Sequence, residues 1–230
     1  MAPKATGRLI PHVAGVPSRR QQYSASTKRA LVDVAEELFT EHGYAATSLD
    51  QVVAGARVTK GALYHHFSGK QALFDAVFER VEATAGAAIL AALDREHDPW
   101  DKANAGLRAF LEVVQRPDYR RVVVQDGPSV LGHERFREQE ERSTFATVVE
   151  IVRAVLPGEW ELDEDMLLTF TRIFFGALSS AGESVATSDD PATAAARVET
   201  AIAYILAGLQ SLVAAGVPLP EPGRVVELDG

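Results

Sequence analysis

The chain has 230 residues, a formal net charge of -9 and a hydrophobic fraction of 47%, a composition typical of a folded protein with its own core. It contains no cysteine, so disulfides, thiolate metal ligands and cysteine nucleophiles are excluded. No secretory pattern or long uncharged apolar run stands out, so we expect a cytoplasmic protein with no membrane partner. We also expect no cofactor.

The charge is distributed unevenly along the chain. Residues 1–80 hold 10 Lys+Arg and 7 Asp+Glu, which gives +3, whereas residues 81–230 carry -12. Residues 1–24 are rich in Pro, Gly and Ser and lack an apolar period, so we predict a disordered basic leader there. Six basic residues and no acidic one precede Asp33, a pattern typical of an arm attracted to a polyanion, although a solvated tail has the same composition.

Four helices are predicted in the front part of the chain. The first runs from Ser26 to His42-Gly43, with apolar residues at helical spacing. The second is short and begins with two overlapping capping signals, at Thr47 and Ser48. Thr59 is the expected N-cap of a third short helix, and Ser68 with Gln71 is expected to cap a fourth that continues towards Leu93.

The rest of the chain is predicted to be helical as well. Its segments begin at Asp98-Pro99, continue through residues 117–132 with a break at Gly127-Pro128, and then cover residues 134–156, 163–187 and 191–214. No strand alternation and no internal repeat is present. The predicted fold class is therefore all-α, with about nine helices.

Two short helices between a supporting and a stabilising helix form the pattern of a helix-turn-helix, whose second short helix reads DNA. On that helix Leu63 and Phe67 stand four residues apart and can anchor one face, while Lys60, Tyr64 and His65 lie towards other faces. The pattern predicts a polar surface that can reach a DNA groove.

The segment from Thr27 to Val77, "TKRALVDVAEELFTEHGYAATSLDQVVAGARVTKGALYHHFSGKQALFDAV", resembles the TetR-type transcriptional repressors. Gly69 departs from the family pattern, which more often has Ser, Asn, Asp or Thr there. The resemblance implies an N-terminal helix-turn-helix DNA-binding domain over residues 25–72, a helical regulatory and dimerisation domain over 73–220 and a tail over 221–230.

The resemblance also implies which residues meet operator DNA. Phosphate contacts supply most of the affinity of such proteins, and base contacts select the sequence. The implied contacts are Thr47, Ser48, Thr59, Lys60, Gly61, Tyr64, His65, His66 and Lys70. The serine and threonines can equally be helix caps alone, and Tyr64 and His66 can equally be packed residues with satisfied polar tips.

Enzyme and metal sites are not expected. "GPSVLG" is one residue too long for a G-x-S-x-G nucleophile elbow, and "VTKGA" lacks the GK[ST] ending of a phosphate-binding loop. The adjacent His65 and His66 point in different directions on a helix, and no carboxylate spacing completes a metal site.

The back part is expected to bind a small-molecule effector and to form a homodimer through the last two long helices, as the resemblance implies. Aromatic and polar residues in the middle helices are the pocket candidates: Trp100, Phe110, Tyr119, Arg121, Gln125, Asp126, Phe145, Phe170 and Phe174. The alternative is an intracellular helical ligand-binding or interaction protein without DNA function.

Overall fold

The computed structural model describes residues 19–132, 134–136, 145–156 and 163–217, and every regular element within those ranges is helical. This confirms the all-α prediction. The helical segments are α1 (Arg19–Ala46), α2 (Leu49–Gly55), α3 (Lys60–His66), α4 (Lys70–Leu93), α5 (Pro99–Val114), a π-helix (Tyr119–Asp126), α6 (Gly127–Leu131), α7 (Ala146–Val155), α8 (Glu164–Ala186) and α9 (Pro191–Ala214).

Several predicted boundaries need correction. The first helix begins at Arg19, so the prediction of a disordered leader is wrong for residues 19–24, while residues 1–18 lie outside the described residues. Of the helix predicted over residues 134–156, the structure describes residues 134–136 and α7. The predicted tail, residues 221–230, also lies outside the described part of the chain.

Local chemistry explains where the long helices start. Asp98 accepts the backbone N–H groups of Trp100 and Asp101 at 2.8 and 3.1 Å, and Pro99 occupies the first position of α5 as predicted. Asp163 accepts the Met166 N–H at 2.7 Å at the start of α8. Each aspartate satisfies amide groups that the first helical turn leaves without an intrahelical partner.

The front core joins α1, α2, α3, α4 and the π-helix into one apolar cluster. Phe74 of α4 is fully buried, with its ring 5.3 Å from Phe39 and 5.2 Å from Tyr44, both in edge-on geometry. Val122 and Val123 of the π-helix belong to the same cluster. The helix-turn-helix therefore packs directly on elements of the back part, and the cluster continues past the predicted boundary at residue 72.

The back part contains two further apolar clusters, one between α5, α8 and α9 and one between α7 and α8. Gly182 of α8 permits the close approach of α5, because a Cβ atom added there would lie 2.6 Å from the Phe110 ring. The α5 side chains of this interface, Leu107, Leu111 and Val114, are buried. These helices enclose the cavity described below.

Large apolar side chains of α8 and α9 are left exposed. Ile173, Tyr204 and Ile205 expose 64%, 83% and 57% of their surface, and Ile173 and Ile205 also line the cavity between the helices. By length and composition alone, α9 is long and apolar enough to cross a membrane. A single helix of this kind is weak evidence for a membrane, since helices that pair inside soluble proteins have the same composition.

Candidate DNA interface and effector cavity

The start of α2 is set by a capping box. The Ser48 side chain accepts the Gln51 backbone N–H at 3.2 Å, and the Gln51 side-chain oxygen accepts the Ser48 backbone N–H at 2.7 Å. Ser48 is exposed, so it combines this cap with access to a bound molecule. The cap prediction for Ser48 is confirmed.

The Thr47 side chain is buried, although the resemblance implied that it contacts DNA. It exposes only 2% of its surface, and its hydroxyl group lies 2.9 Å from the Gly43 carbonyl and 3.1 Å from the Leu38 carbonyl, to which it can donate. The side chain ties the end of α1 to the start of α2 and is not available to a phosphate. We therefore correct the expected contact of the Thr47 side chain with DNA.

The turn between α2 and α3 brings the second short helix into place. Arg57 adopts a positive φ of 54°, and the Val58 N–H donates to the Val53 carbonyl at 3.2 Å. The Thr59 hydroxyl then accepts the Ala62 N–H at 3.2 Å, which confirms Thr59 as the N-cap of α3. This sequence of short-range bonds fixes the direction in which α3 leaves α2.

The helix α3 is anchored on one side and exposed on the other. Leu63 is fully buried and Phe67 is 5% exposed, so these two residues hold the helix against the front core as the spacing predicted. Tyr64 exposes 59% of its surface. The other residues of α3 that are exposed to solvent are Lys60, Gly61 and His65, while His66 is half-buried.

Lys60 is held at the edge of this face by an ion pair. Its Nζ atom lies 2.7 Å from the Asp50 carboxylate of α2, and both side chains remain about two-thirds exposed, at 65% and 67%. The hydrogen bond to Asp50, followed by its charge, raises the pKa of the Lys60 ammonium group. A phosphate near Lys60 therefore has to compete with the Asp50 carboxylate for the ammonium group.

Lys70 begins α4 at the other end of the face. Its Nζ donates to the Ala45 carbonyl at 3.3 Å and sits 4.3 Å from the centre of the Tyr44 ring. Partial burial lowers the pKa of Lys70, and the nearby Asp126 carboxylate opposes that shift. Gly69, not Ser68, occupies the N-cap position and forms no side-chain cap, so the predicted capping role of Ser68 is wrong.

His65 and His66 form a pair beside the first helix. Their rings lie 5.1 Å apart, and Lys28 of α1 places its ammonium group 5.8 Å from the neighbouring Phe67 ring. Partial burial lowers the pKa of His66, and His65 and Lys28 lower it further. His66 is therefore largely uncharged near pH 7 in the absence of a bound anion. Within the described part of the chain, no group of three or more histidine, aspartate or glutamate side chains could hold a metal ion.

A cavity of about 1020 Å³ lies between α4, α5, the π-helix, α7, α8 and α9. Four of the predicted pocket residues line it: Phe110, Tyr119, Phe145 and Phe174. Its walls are mostly apolar, and Phe136 and Phe175 add two further aromatic rings. A cavity of this size and lining can enclose a small organic molecule.

The other five pocket candidates do not line the cavity. Trp100 and Phe170 pack against the cluster between α7 and α8. Arg121, Gln125 and Asp126 lie on the side of the π-helix that meets the front part, where Asp126 accepts the Tyr44 backbone N–H at 2.7 Å. The expectation that these five residues contact an effector is therefore corrected.

Several cavity residues were missed from the sequence. Phe136 and Phe175 fit the same aromatic criterion that selected their neighbours, so they could have been included. The aliphatic walls, such as Val148, Ile151 and Val152 of α7, carry no sequence signal that separates a cavity wall from an ordinary core. Their role becomes visible only when the helices are assembled.

Two family models match the chain. The model described as "Bacterial regulatory proteins, tetR family" matches residues 31–77, and that described as "Tetracyclin repressor-like, C-terminal domain" matches residues 100–209. The first match covers most of α1 through the beginning of α4. The second runs from α5 into α9 and includes most of the cavity.

Among curated proteins, the Transposon Tn10 TetC protein of Escherichia coli is 30% identical over 115 residues, which are 50% of this chain and 58% of that protein. The HTH-type transcriptional regulator AcrR of Shigella flexneri is 37% identical over 68 residues, 30% of this chain and 32% of that protein. The chain thus spans less than two thirds of the length of these two relatives.

Among solved structures, a TetR-family transcriptional regulator from Pectobacterium atrosepticum matches with a TM-score of 0.67 and 29% identity. The match covers 84% of this chain and 97% of that one. A TetR-family transcriptional regulator from Streptomyces coelicolor has a TM-score of 0.65 at 18% identity, with coverage of 85% and 98%. The second likeness shows the fold alone.

Proposed function

Because this chain belongs to the TetR family of bacterial regulatory proteins, we propose that it is a homodimeric repressor that binds operator DNA and releases it when a small apolar molecule occupies the cavity. The observation that carries the DNA-binding proposal is the exposed polar face of α3, held in place by the buried Leu63 and Phe67. A helix anchored in this way can enter the major groove without losing its packing.

Two groups of residues make the proposed contacts. Tyr64 and His65 are exposed along α3 and reach towards base edges and the DNA backbone, with His66 beside them. The phosphate-binding group consists of Ser48, Thr59, Lys60, Gly61 and Lys70. A Cβ atom added at Gly61 would lie 3.9 Å from the Thr59 hydroxyl oxygen, an ordinary contact distance, so the DNA backbone can approach the first turn of α3 closely.

The lysines supply the most direct test of this face. Each lysine that neutralises a phosphate releases a counterion, so Lys60→Ala or Lys70→Ala is expected to weaken DNA binding and to lower the salt slope by about one per protomer. The slope of log K against log salt concentration is measured by fluorescence anisotropy. Arg95→Ala, which removes an exposed arginine after the end of α4, is the matched control. Unchanged slopes in both lysine variants would remove these residues from the interface.

His66 is expected to make DNA binding sensitive to pH. The pKa of His66 lies below its usual value in the free protein, and a neighbouring phosphate would raise it, so the complex takes up protons as the pH falls. We expect DNA affinity to rise by roughly threefold to tenfold from pH 8 to pH 6. The rise should shrink in His66→Gln, and an identical pH profile in that variant would contradict the assignment.

The dimer is proposed to form through the exposed faces of α8 and α9. Tyr204 is 83% exposed on α9, and a Cβ atom added at Gly208, four residues further on, would meet nothing within 4 Å, which leaves room for a second copy to approach closely. Pairing these faces would bury the apolar surface of α9 without a membrane. Two copies are also needed to read two half-sites about 34 to 36 Å apart.

The effector is proposed to be a predominantly apolar molecule, because aromatic and aliphatic side chains make most of the cavity wall. Its binding is proposed to favour a dimer in which the spacing of the two helix-turn-helix units no longer matches the spacing of the half-sites. Differential affinity for the two arrangements is the source of release, and operator DNA must weaken effector binding by the same factor.

A further inference from the structure

The π-helix Tyr119–Asp126 touches both the cavity and the DNA-binding part. Tyr119, Val123 and Val124 line the cavity, whereas Arg121 and Asp126 reach the end of α1. π-Helical turns are rare and occur frequently at functional sites. These eight residues are therefore a physical connection between the cavity wall and the helix-turn-helix.

The connection centres on one carboxylate oxygen. Oδ2 of Asp126 accepts the backbone N–H of Tyr44 at 2.7 Å, across 82 residues of sequence, and lies 3.3 Å from Nε of Arg121. The Asp126 side chain is only 18% exposed. A hydrogen bond from an amide to a charged acceptor is stronger than one to a neutral acceptor.

Arg121 occupies the space beside Gly43. A Cβ atom added at Gly43 would lie 1.7 Å from Nη2 of Arg121, so only glycine admits the guanidinium group there. Gly43 has a φ of 78°, which breaks the helical path of α1 just before Tyr44. Nη2 of Arg121 also donates to the His42 carbonyl at 3.4 Å. A positive charge near the carboxyl end of a helical segment is stabilising.

The same junction holds Lys70. The ring under its ammonium group belongs to Tyr44, and the carbonyl that accepts its hydrogen bond belongs to Ala45. Asp126 accepts the backbone N–H of Tyr44. A displacement of Asp126 therefore acts on Tyr44, one of the two residues that hold the ammonium group of Lys70, a proposed phosphate ligand.

We propose that Asp126 is a positioning residue for DNA binding, because its bonds to Tyr44 and Arg121 fix the junction of α1 and α2 so that Lys70 and α3 meet DNA together. This inference rests on the proposed function. An effector against Tyr119 and Val123 would reach the DNA-binding surface through this contact.

The test compares Asp126→Ala with Asp118→Asn. Asp118 directly precedes the π-helix, is also 18% exposed and is ion-paired with Arg116, and no described hydrogen bond joins it to the front part, so it controls for loss of an acidic group from the same region. The DNA probe is a duplex selected by the protein from a random pool. Asp126→Asn, which keeps an acceptor for Tyr44 but loses the attraction to Arg121, is the second variant.

Asp126→Ala is expected to lower DNA affinity by about tenfold or more and to reduce the salt slope by about one per protomer, because Lys70 loses its place. Amide exchange at Tyr44 should accelerate, and Asp126→Asn should fall between the wild type and Asp126→Ala. Destabilisation alone would lower the active fraction without changing the salt slope.

Equal affinity and salt slope in wild type and Asp126→Ala would overturn the inference and leave the proposed function intact. Equal losses in Asp126→Ala and Asp118→Asn would also overturn it. A wild-type protein that selects no DNA would overturn the proposed function, and this inference with it.

Discussion

Tyr204→Glu is expected to convert the protein into monomers and to reduce operator affinity by at least about 100-fold. The side chain is 83% exposed on one copy, so the substitution leaves the protomer fold unchanged. In a dimer formed through α8 and α9, the new carboxylate would be buried near its symmetry mate, which is costly without a partner charge. A monomer has one helix-turn-helix unit, so it loses the gain in affinity that two linked DNA-binding units provide.

Light scattering after size-exclusion chromatography measures the mass, and anisotropy titration measures operator affinity. Leu90→Glu is the matched control, since Leu90 is an exposed apolar residue of α4 outside the proposed interface. It should remain dimeric. A dimeric Tyr204→Glu protein with wild-type affinity would show that α9 does not form the interface in this way.

Phe74→Ala is expected to lower the free energy of unfolding by about 3–5 kcal/mol, because it removes a fully buried ring from the centre of the front core. The vacated space would lie between Phe39 and Tyr44, which both pack edge-on against Phe74. Since Tyr44 carries the contacts to Asp126 and Lys70, DNA binding should weaken as well.

The measurement is chemical denaturation followed by circular dichroism at a fixed protomer concentration. Tyr23→Ala, at a residue that is 77% exposed on α1, should change stability by no more than about 0.5 kcal/mol. A loss below about 1 kcal/mol in Phe74→Ala would mean that the front core does not depend on this ring.

The front part could be predicted largely because its determinants are local. The bonds of Ser48 with Gln51 and of Thr59 with Ala62 join residues three apart in sequence, so spacing alone identifies them. Leu63 and Phe67 follow the helical period and are buried as expected. The face that they leave exposed follows directly from the same periodicity.

Two errors arose where the path of the backbone decides between equivalent local choices. Thr47 and Ser48 both fit a capping rule, and the break at Gly43 together with the carbonyls of α1 places Thr47 inside. Ser68 fits the same rule, but the turn before α4 puts Gly69 at the cap position. Neither outcome can be read from spacing between neighbours.

The effector site was harder to predict for a related reason. Arg121 and Asp126 are polar residues in a middle helix, which made them reasonable pocket candidates. Their partners, His42 and Tyr44, lie about 80 residues earlier, so the assignment needs the tertiary structure. An apolar period also cannot distinguish side chains around a cavity from side chains in a filled core.

Selection of DNA by the wild-type protein from a random duplex pool, followed by titration of the selected duplex at several salt concentrations, tests the central claim most directly. We predict a site with two related halves about one helical turn apart, bound by a dimer with a steep salt dependence that decreases in Lys60→Ala and Lys70→Ala. Recovery of no preferred sequence, with equally weak binding to selected and random duplexes, would contradict the account.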